Sequence, residues 1–360
     1  MSEEERRRTS RRVSANRRVS GQRETMRAVL VQQWGDPSVL EASEVEVPEP
    51  APGEALVRVD FAGVNYTDVY HRTGLYPKEP PFIPGVEASG VVEKLGAGAE
   101  DAAGAAAGAG AAGVAVGDRV AFAMGAAAYA EYVTVPAWKL VEVPEAIPME
   151  IAAAVMVQGM TADFLSSDAY PILEGDTVLI HAAAGGVGLL LTQLAKKRGA
   201  VVIGTCSTEE KAKRVRAVGA DHVVLYTEDD FVDATNGITD GKGVAAVYDS
   251  VGRATFDRSI DCLAPRGFLL LFGQASGPVA PVDPQILARQ GSIYLTRPSL
   301  VHYMRDAAEA RARAGRIFSY IQGGQLDVHI HCILDLTQAA EAHELLESRR
   351  TSGKLLLSTA

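Results

Sequence analysis

The stretch His181-Ala182-Ala183-Ala184-Gly185-Gly186-Val187-Gly188 closes an apolar run and opens an amphipathic one. A nucleotide turn needs that placement, because a diphosphate is held by backbone N–H groups at a helix amino terminus. Ala183 stands where the first glycine of a G-x-G-x-x-G string belongs. Gly185, flanked by Ala184, Gly186 and Val187, permits close approach of a pyrophosphate, and Gly188 permits tight packing of helix on strand. The competing reading is a glycine turn that serves packing alone.

Roughly twenty residues beyond such a turn, an NAD site places an acid against the ribose 2′-hydroxyl. Counting from Gly185 leads to Thr205, and the segment Gly204-Thr205-Cys206-Ser207 holds no acid. Lys211 follows one helical turn later, where its ammonium can meet a 2′-phosphate, so NADPH is the expected cofactor. Glu209 and Glu210 suit the start of a helix and need not face the ribose. A solvated Lys211 with no ligand is the alternative.

From about Met149 the pattern alternates strand and helix, with near-continuous apolar strands that imply a parallel sheet covered on both faces. The strands expected are Thr177–His181, Val201–Thr205, Val223–Tyr226, Val244–Asp249 and Gly267–Phe272, with helices Val187–Arg198 and Glu209–Val218. Met26 to about Ile147 reads instead as short β runs broken by Pro and Gly. The expected divisions are a basic disordered tail over 1–25, a mostly β domain over 26–148 and a doubly wound domain over 149–295. A segment over 296–360, ending in strand Lys354–Ser358, is expected to return to the first domain. The Ala/Gly-dominated stretch at about 97–116 reads as an inserted surface loop. The tail carries Arg-Arg-Xaa-Ser three times, either as basophilic kinase sites or as a solvated extension.

Eight Arg and four Glu give residues 1–25 a balance of +4, which leaves −14 on the rest of a chain whose formal charge is −10. An acidic body argues against general nucleic-acid affinity. Cys206, Cys262 and Cys332 are scattered singly, which fits a reducing, cytoplasmic setting, and Glu3-Glu4-Glu5 opposes a mitochondrial presequence. The most apolar stretch, 178–194, is interrupted by His181 and three glycines and reads as strand, turn and helix, not a membrane span.

Several motifs in order resemble the zeta-crystallin-like quinone oxidoreductases, which are zinc-independent medium-chain dehydrogenases/reductases. They are Val64-Asn65-Tyr66-Thr67-Asp68, Arg72-Thr73-Gly74-Leu75-Tyr76-Pro77, His181 to Gly188, Tyr248-Asp249-Ser250-Val251-Gly252, Thr296-Arg297-Pro298-Ser299-Leu300 and Leu346-Glu347-Ser348-Arg349. The resemblance covers Met26 to Ala360. Departures are the tail, the Ala/Gly insertion and Gln158, where bacterial relatives lead one to expect a lysine. The resemblance implies a GroES-like first domain, a Rossmann second domain, NADPH between them and a homodimer. It also implies that Asn65, Tyr70 and Tyr76 line the acceptor pocket and are the catalytic candidates that polarise the acceptor oxygen. For the cofactor it implies Thr161 beside the nicotinamide and phosphates, Ser207, Lys211 and Tyr226 near the adenosine, and Ser250 at a strand end. Phe272, Gly273, Leu295 and Thr296 would flank the nicotinamide half, and Arg349 would reach the 2′-phosphate.

Zinc alcohol dehydrogenases share that architecture. Their catalytic cysteine falls where Asn65 stands and their Gly-His-Glu motif where Gly85-Val86-Glu87 stands, so no metal is expected and Glu87 reads as a hydrogen-bonded core carboxylate. What remains is hydride transfer to an acceptor that is already electrophilic. A quinone is the first candidate and an α,β-unsaturated carbonyl compound the second. A cofactor-binding structural or RNA-binding protein is the alternative of another class.

Overall fold

The computed structural model describes residues 24–100 and 113–360. The expectations for the basic tail and for the centre of the Ala/Gly insertion lie almost wholly outside the described residues.

The amino-terminal half holds β1 (Thr25–Val31), β2 (Leu40–Glu46), β3 (Glu54–Val64), helix α1 (Tyr66–Arg72), β4 (Glu87–Leu95), β5 (Arg119–Ala123), β6 (Tyr132–Pro136) and β7 (Val141–Glu142). A long helix α2 (Met149–Phe164) follows. The alternating region comprises β8 (Thr177–Ile180), α3 (Gly186–Lys197), β9 (Val201–Cys206), α4 (Glu209–Ala217), β10 (His222–Leu225), α5 (Phe231–Ile238), β11 (Val244–Asp249), α6 (Phe256–Asp261), β12 (Leu263–Leu271), α7 (Gln285–Arg289) and β13 (Tyr294–Thr296). Helix α8 (Ala307–Gln322), β14 (Ile330–Asp335), α9 (Ala339–Glu347) and β15 (Lys354–Ser358) complete the chain.

The parallel sheet runs β10-β9-β8-β11-β12-β13, so the strand order reverses between β8 and β11. This is the doubly wound Rossmann arrangement, in which ligands bind beyond the strand carboxyl ends at the reversal. The run Val178-Leu179-Ile180 is wholly buried because helices cover both faces. Strand β12 begins earlier than its apolar run suggests. Its pairing with β11 jumps from Val244↔Leu263 to Ala246↔Phe268, leaving Pro265-Arg266-Gly267 as an irregular excursion that apolar patterning cannot show.

The second sheet runs β14-β15-β3-β4-β5-β7, with β6 also pairing β3, and β1 and β2 form a separate ribbon. Strand β15 lies antiparallel to β3, with Leu355 opposite Val64, so the end of the chain completes the first sheet. The segment after β13 divides, however. Strands β14 and β15 and helix α9 join the first sheet's core, whereas Ala310, Ala314, Ile317 and Phe318 of α8 pack into the core that covers the parallel sheet. Asp163 on α2 holds α8 through Arg313 at 2.6 Å and Arg316 at 2.7 Å. Helix α2 is apolar on nearly every side, and eleven of its residues are buried. A helix of that kind belongs inside the protein, and this one lies between the first sheet and helices α3 and α8.

No helix among the described residues is long and apolar enough to cross a membrane.

Candidate functional site

A cleft of about 800 Å³ opens along the carboxyl ends of the parallel strands and is closed on the other side by α1 and the loop after it. Its floor is the turn between β8 and α3. Gly185 is the helix N-cap and supplies no side-chain hydrogen bond, which leaves the amino-terminal N–H groups to face whatever lies above.

The glycines differ in what they permit. A Cβ on Gly185 would meet only the Ala182 carbonyl oxygen, at 3.2 Å, and otherwise open space. A Cβ on Gly188 would strike that oxygen at 2.5 Å and the Ala183 backbone at 2.7 Å, and one on Gly186 would overlap the Gln158 carboxamide. Gly185 therefore leaves room for a ligand, while Gly188 lets α3 sit on the strand end. The Ala183 methyl in the first glycine position is accommodated from the neighbouring strand. A Cβ on Gly204 of β9 would lie 2.9 Å from it, so Gly204 acts in packing and does not line the cleft. Ala182 takes up the turn's left-handed conformation, with φ of 49°.

Ala184, Gly185, Gly186 and Val187 line the cleft, as does Thr161 from α2. Across the strand-order reversal, Ser250 follows β11, and its loop is built on Asp249, which accepts from Val251 N at 2.8 Å and Gly252 N at 3.0 Å. Phe272 and Gly273 follow β12, where a Cβ on Gly273 would strike the Ser250 carbonyl oxygen at 2.5 Å. Leu295 and Thr296 lie in β13 and stand outside the cleft wall, whereas Arg297, just beyond them, lines it. His181 is buried between Thr205 and Ser259, each 3.0 Å from a ring nitrogen, and its burial holds its pKa low.

At the β9–β10 end the wall carries Ser207, Lys211, Tyr226 and Arg349. Lys211 Nζ donates to the Arg349 carbonyl oxygen at 2.5 Å, and Arg349 takes a positive φ of 58°. The carboxyl-terminal segment is thus stitched to the wall, and Gly353 N also donates to the Ala184 carbonyl oxygen of the glycine turn at 2.9 Å.

At the opposite end stand Asn65, Tyr70 and Tyr76. Asn65 caps α1, and its N–H donates to Asp68 Oδ2 at 2.9 Å. Its Nδ2 donates to Glu87 Oε1 at 2.7 Å and to the Gly63 carbonyl oxygen at 3.3 Å, while its Oδ1 accepts from Lys354 Nζ at 2.9 Å. Lys354 also ion-pairs with Glu87 Oε1, and Glu87 Oε2 accepts from Val157 N at 2.6 Å. Both side chains are almost fully buried. Among the described residues, no group of three or more His, Cys, Asp or Glu comes together to hold a metal ion.

The two tyrosines are arranged differently. Tyr70 hydroxyl accepts from Gln274 N at 3.0 Å, and Tyr76 hydroxyl accepts from Arg297 at 3.2 Å. Each oxygen is therefore engaged as an acceptor while its own O–H remains to donate. Burial raises the pKa of Tyr70 and keeps it a phenol. Below them, Tyr129 donates to Asp68 Oδ2 at 3.2 Å and lies 3.1 Å from His343 Nε2. Burial pushes Asp68 up to about 7 and, with Arg72 adjacent, holds His343 down at about 3.

Sequence reasoning missed Lys354 as a site residue and gave Arg297 no role of its own. The signal for Lys354 was a single cation heading an apolar strand, which becomes intelligible only once Glu87 is known to lie beside it.

The family model "Alcohol dehydrogenase GroES-like domain" matches residues 51–145, and "Zinc-binding dehydrogenase" matches residues 186–310. The chain is 42% identical over 328 residues to a quinone oxidoreductase of Pseudomonas aeruginosa, covering 90% of this chain and 97% of that one. Among solved structures, a mycobacterial protein complexed with NADPH matches with a TM-score of 0.87 at 45% identity, covering 92% of this chain and all of that one. The Escherichia coli quinone oxidoreductase complexed with NADPH matches with a TM-score of 0.86 at 40% identity, over 93% of this chain and all of that one. The chain belongs to the medium-chain dehydrogenase/reductase family, among its quinone oxidoreductases.

Proposed function

We propose that the protein reduces quinones with NADPH and that its residues activate the acceptor without a metal ion. The observation that carries this reading is one cleft with two different ends. Lys211 and Arg349 form a cationic end suited to a 2′-phosphate, and two phenolic O–H groups stand at the other. The turn at Gly185 fits the diphosphate between them, because it combines room for close approach with an uncapped helix amino terminus.

When bound, the cofactor supplies a hydride from C4 of its nicotinamide. In this reading Thr161, Ser250, Phe272 and Gly273 position the nicotinamide half, with Leu295 and Thr296 contributing through the backbone that ends β13. Ser207 and Tyr226 border the adenosine. Tyr70 and Tyr76 donate to the acceptor oxygen as it gains negative charge, the point at which a fixed donor in a dry site has most effect. Asn65 has both N–H bonds committed to Glu87 and Gly63, so it acts as a positioning residue that fixes the start of α1 and thereby Tyr70.

The test is a turnover panel of matched quinones and enones with NADPH and with NADH. Faster reduction of quinones, with NADPH preferred, supports the reading. Enone reduction faster by orders of magnitude, or equal use of NADH, overturns it. We infer further a cytoplasmic homodimer. Unpaired cysteines fit a reducing compartment, and β13 is an open sheet edge with an exposed Tyr294 available for pairing. Sedimentation at protomer mass would refute the dimer.

A further inference from the structure

Arg297 is the charged group at the acceptor end of the cleft that no described carboxylate neutralises. It lines the cleft just beyond β13 and makes one side-chain hydrogen bond, to the Tyr76 hydroxyl. Of the other arginines and lysines in the wall, Arg258 is paired with Asp230, and Lys211 and Arg349 stand at the far end, beyond β9. Among the described residues, the one carboxylate in the wall is Asp229. It follows β10, which is the opposite edge of the parallel sheet from β13. The acceptor end therefore carries an uncompensated positive charge in a chain whose net charge is −10.

The field of Arg297 reaches Tyr70 as well, where it opposes the effect of burial. With one N–H engaged on Tyr76, the rest of the guanidinium fork is left to bind. A planar fork matches a carboxylate or a sulfonate better than an ammonium does. The phosphates of the cofactor are answered elsewhere, at the glycine turn and at Lys211.

We propose that Arg297 recognises an anionic substituent on the acceptor, so that the preferred substrates are quinones bearing a carboxylate or sulfonate beside the reducible ring. This rests on the reading of the cleft as an NADPH-dependent quinone reductase site. A cation focused by the walls of a cleft would also speed capture of such acceptors, most strongly at low ionic strength.

The experiment compares 1,4-naphthoquinone with its 2-sulfonate, using wild type, Arg297→Gln and Arg297→Lys. Expected is a lower KM for the sulfonate in wild type, a rise of about tenfold or more in that KM for Arg297→Gln, and partial retention in Arg297→Lys. The KM for NADPH stays unchanged, and the neutral quinone, which loses only the support that Arg297 gives Tyr76, is affected much less than the sulfonate. Arg297 is exposed, so both variants should fold and keep the wild-type melting temperature. Equal losses on both acceptors would show that Arg297 acts only through Tyr76. No loss on either, or a raised KM for NADPH, would also overturn the proposal. If wild type reduces neither quinone, the reductase reading itself has failed; if it reduces both alike, only this inference has.

Discussion

Lys354 Nζ and Asn65 Oδ1 lie 2.9 Å apart beneath the acceptor end of the cleft, joining the last strand to the cap of α1. The ammonium also neutralises Glu87, which has no access to solvent. Lys354→Met should therefore destabilise the fold by about 3–5 kcal/mol, because it leaves a buried carboxylate unpaired. Adding Glu87→Gln should recover much of that loss. Urea unfolding of the single and double variants measures it, and a double variant no more stable than Lys354→Met would remove Glu87 as the cause.

Tyr70→Phe and Tyr76→Phe keep the rings and delete the donors. Each should lower kcat about a hundredfold with quinones, while leaving the dissociation constant for NADPH unchanged. Stopped-flow turnover together with cofactor fluorescence separates the two effects. Unchanged turnover in both variants would demote the phenols to pocket walls.

Lys211→Ala should weaken NADPH by about ten- to a hundredfold and NADH little, since only the former carries the 2′-phosphate. Equal weakening of both cofactors would place Lys211 away from that phosphate.

The glycine turn predicts a split between stability and binding. Gly185→Ala meets a single contact at 3.2 Å and should fold normally but bind cofactor poorly. Gly188→Ala meets backbone at 2.5 Å and should cost about 1–3 kcal/mol of stability. Melting curves with and without NADPH distinguish them, and the reverse ranking would contradict the placement of the diphosphate.

Asp68 and His343 set opposite pH dependences. Asp68 sits at about 7, above its unfolded value near 4, so the native state binds the extra proton and stability falls as pH rises between those limits. His343 sits at about 3, below its unfolded value near 6.5, so stability falls as pH drops through that window. The two slopes offset between about pH 4 and 6.5, and above that only Asp68 contributes. Asp68→Asn should consequently gain stability as pH rises from about 5 to about 6.5, where wild type stays nearly flat, and should lose none between about 6.5 and 7, where wild type does. Parallel melting-temperature profiles for the two proteins would contradict the assignment.

The glycine-turn side of the cleft was readable from local pattern, because a strand, a glycine turn and a helix are consecutive in the chain. Ala184 to Val187, Ser250 and Gly273 follow directly from that rule. Gly204 was expected to contact the cofactor, but it does not line the cleft. Its partner is the Ala183 methyl, a contact across two strands that no spacing encodes. Leu295 and Thr296 were expected in the wall, yet the chain leaves the sheet there and presents Arg297 instead. Asn65 was readable as a pocket residue from the family pattern. That its donors are spent on Glu87 and Gly63 depends on Lys354, a residue from the far end of the sequence.

The bond from Gly353 to the Ala184 carbonyl also bears on when the protein matures. The nucleotide turn is translated about midway through the chain, but the backbone that steadies it leaves the ribosome only with the final strand. Chains that stop short of Gly353 should therefore retain coenzyme poorly.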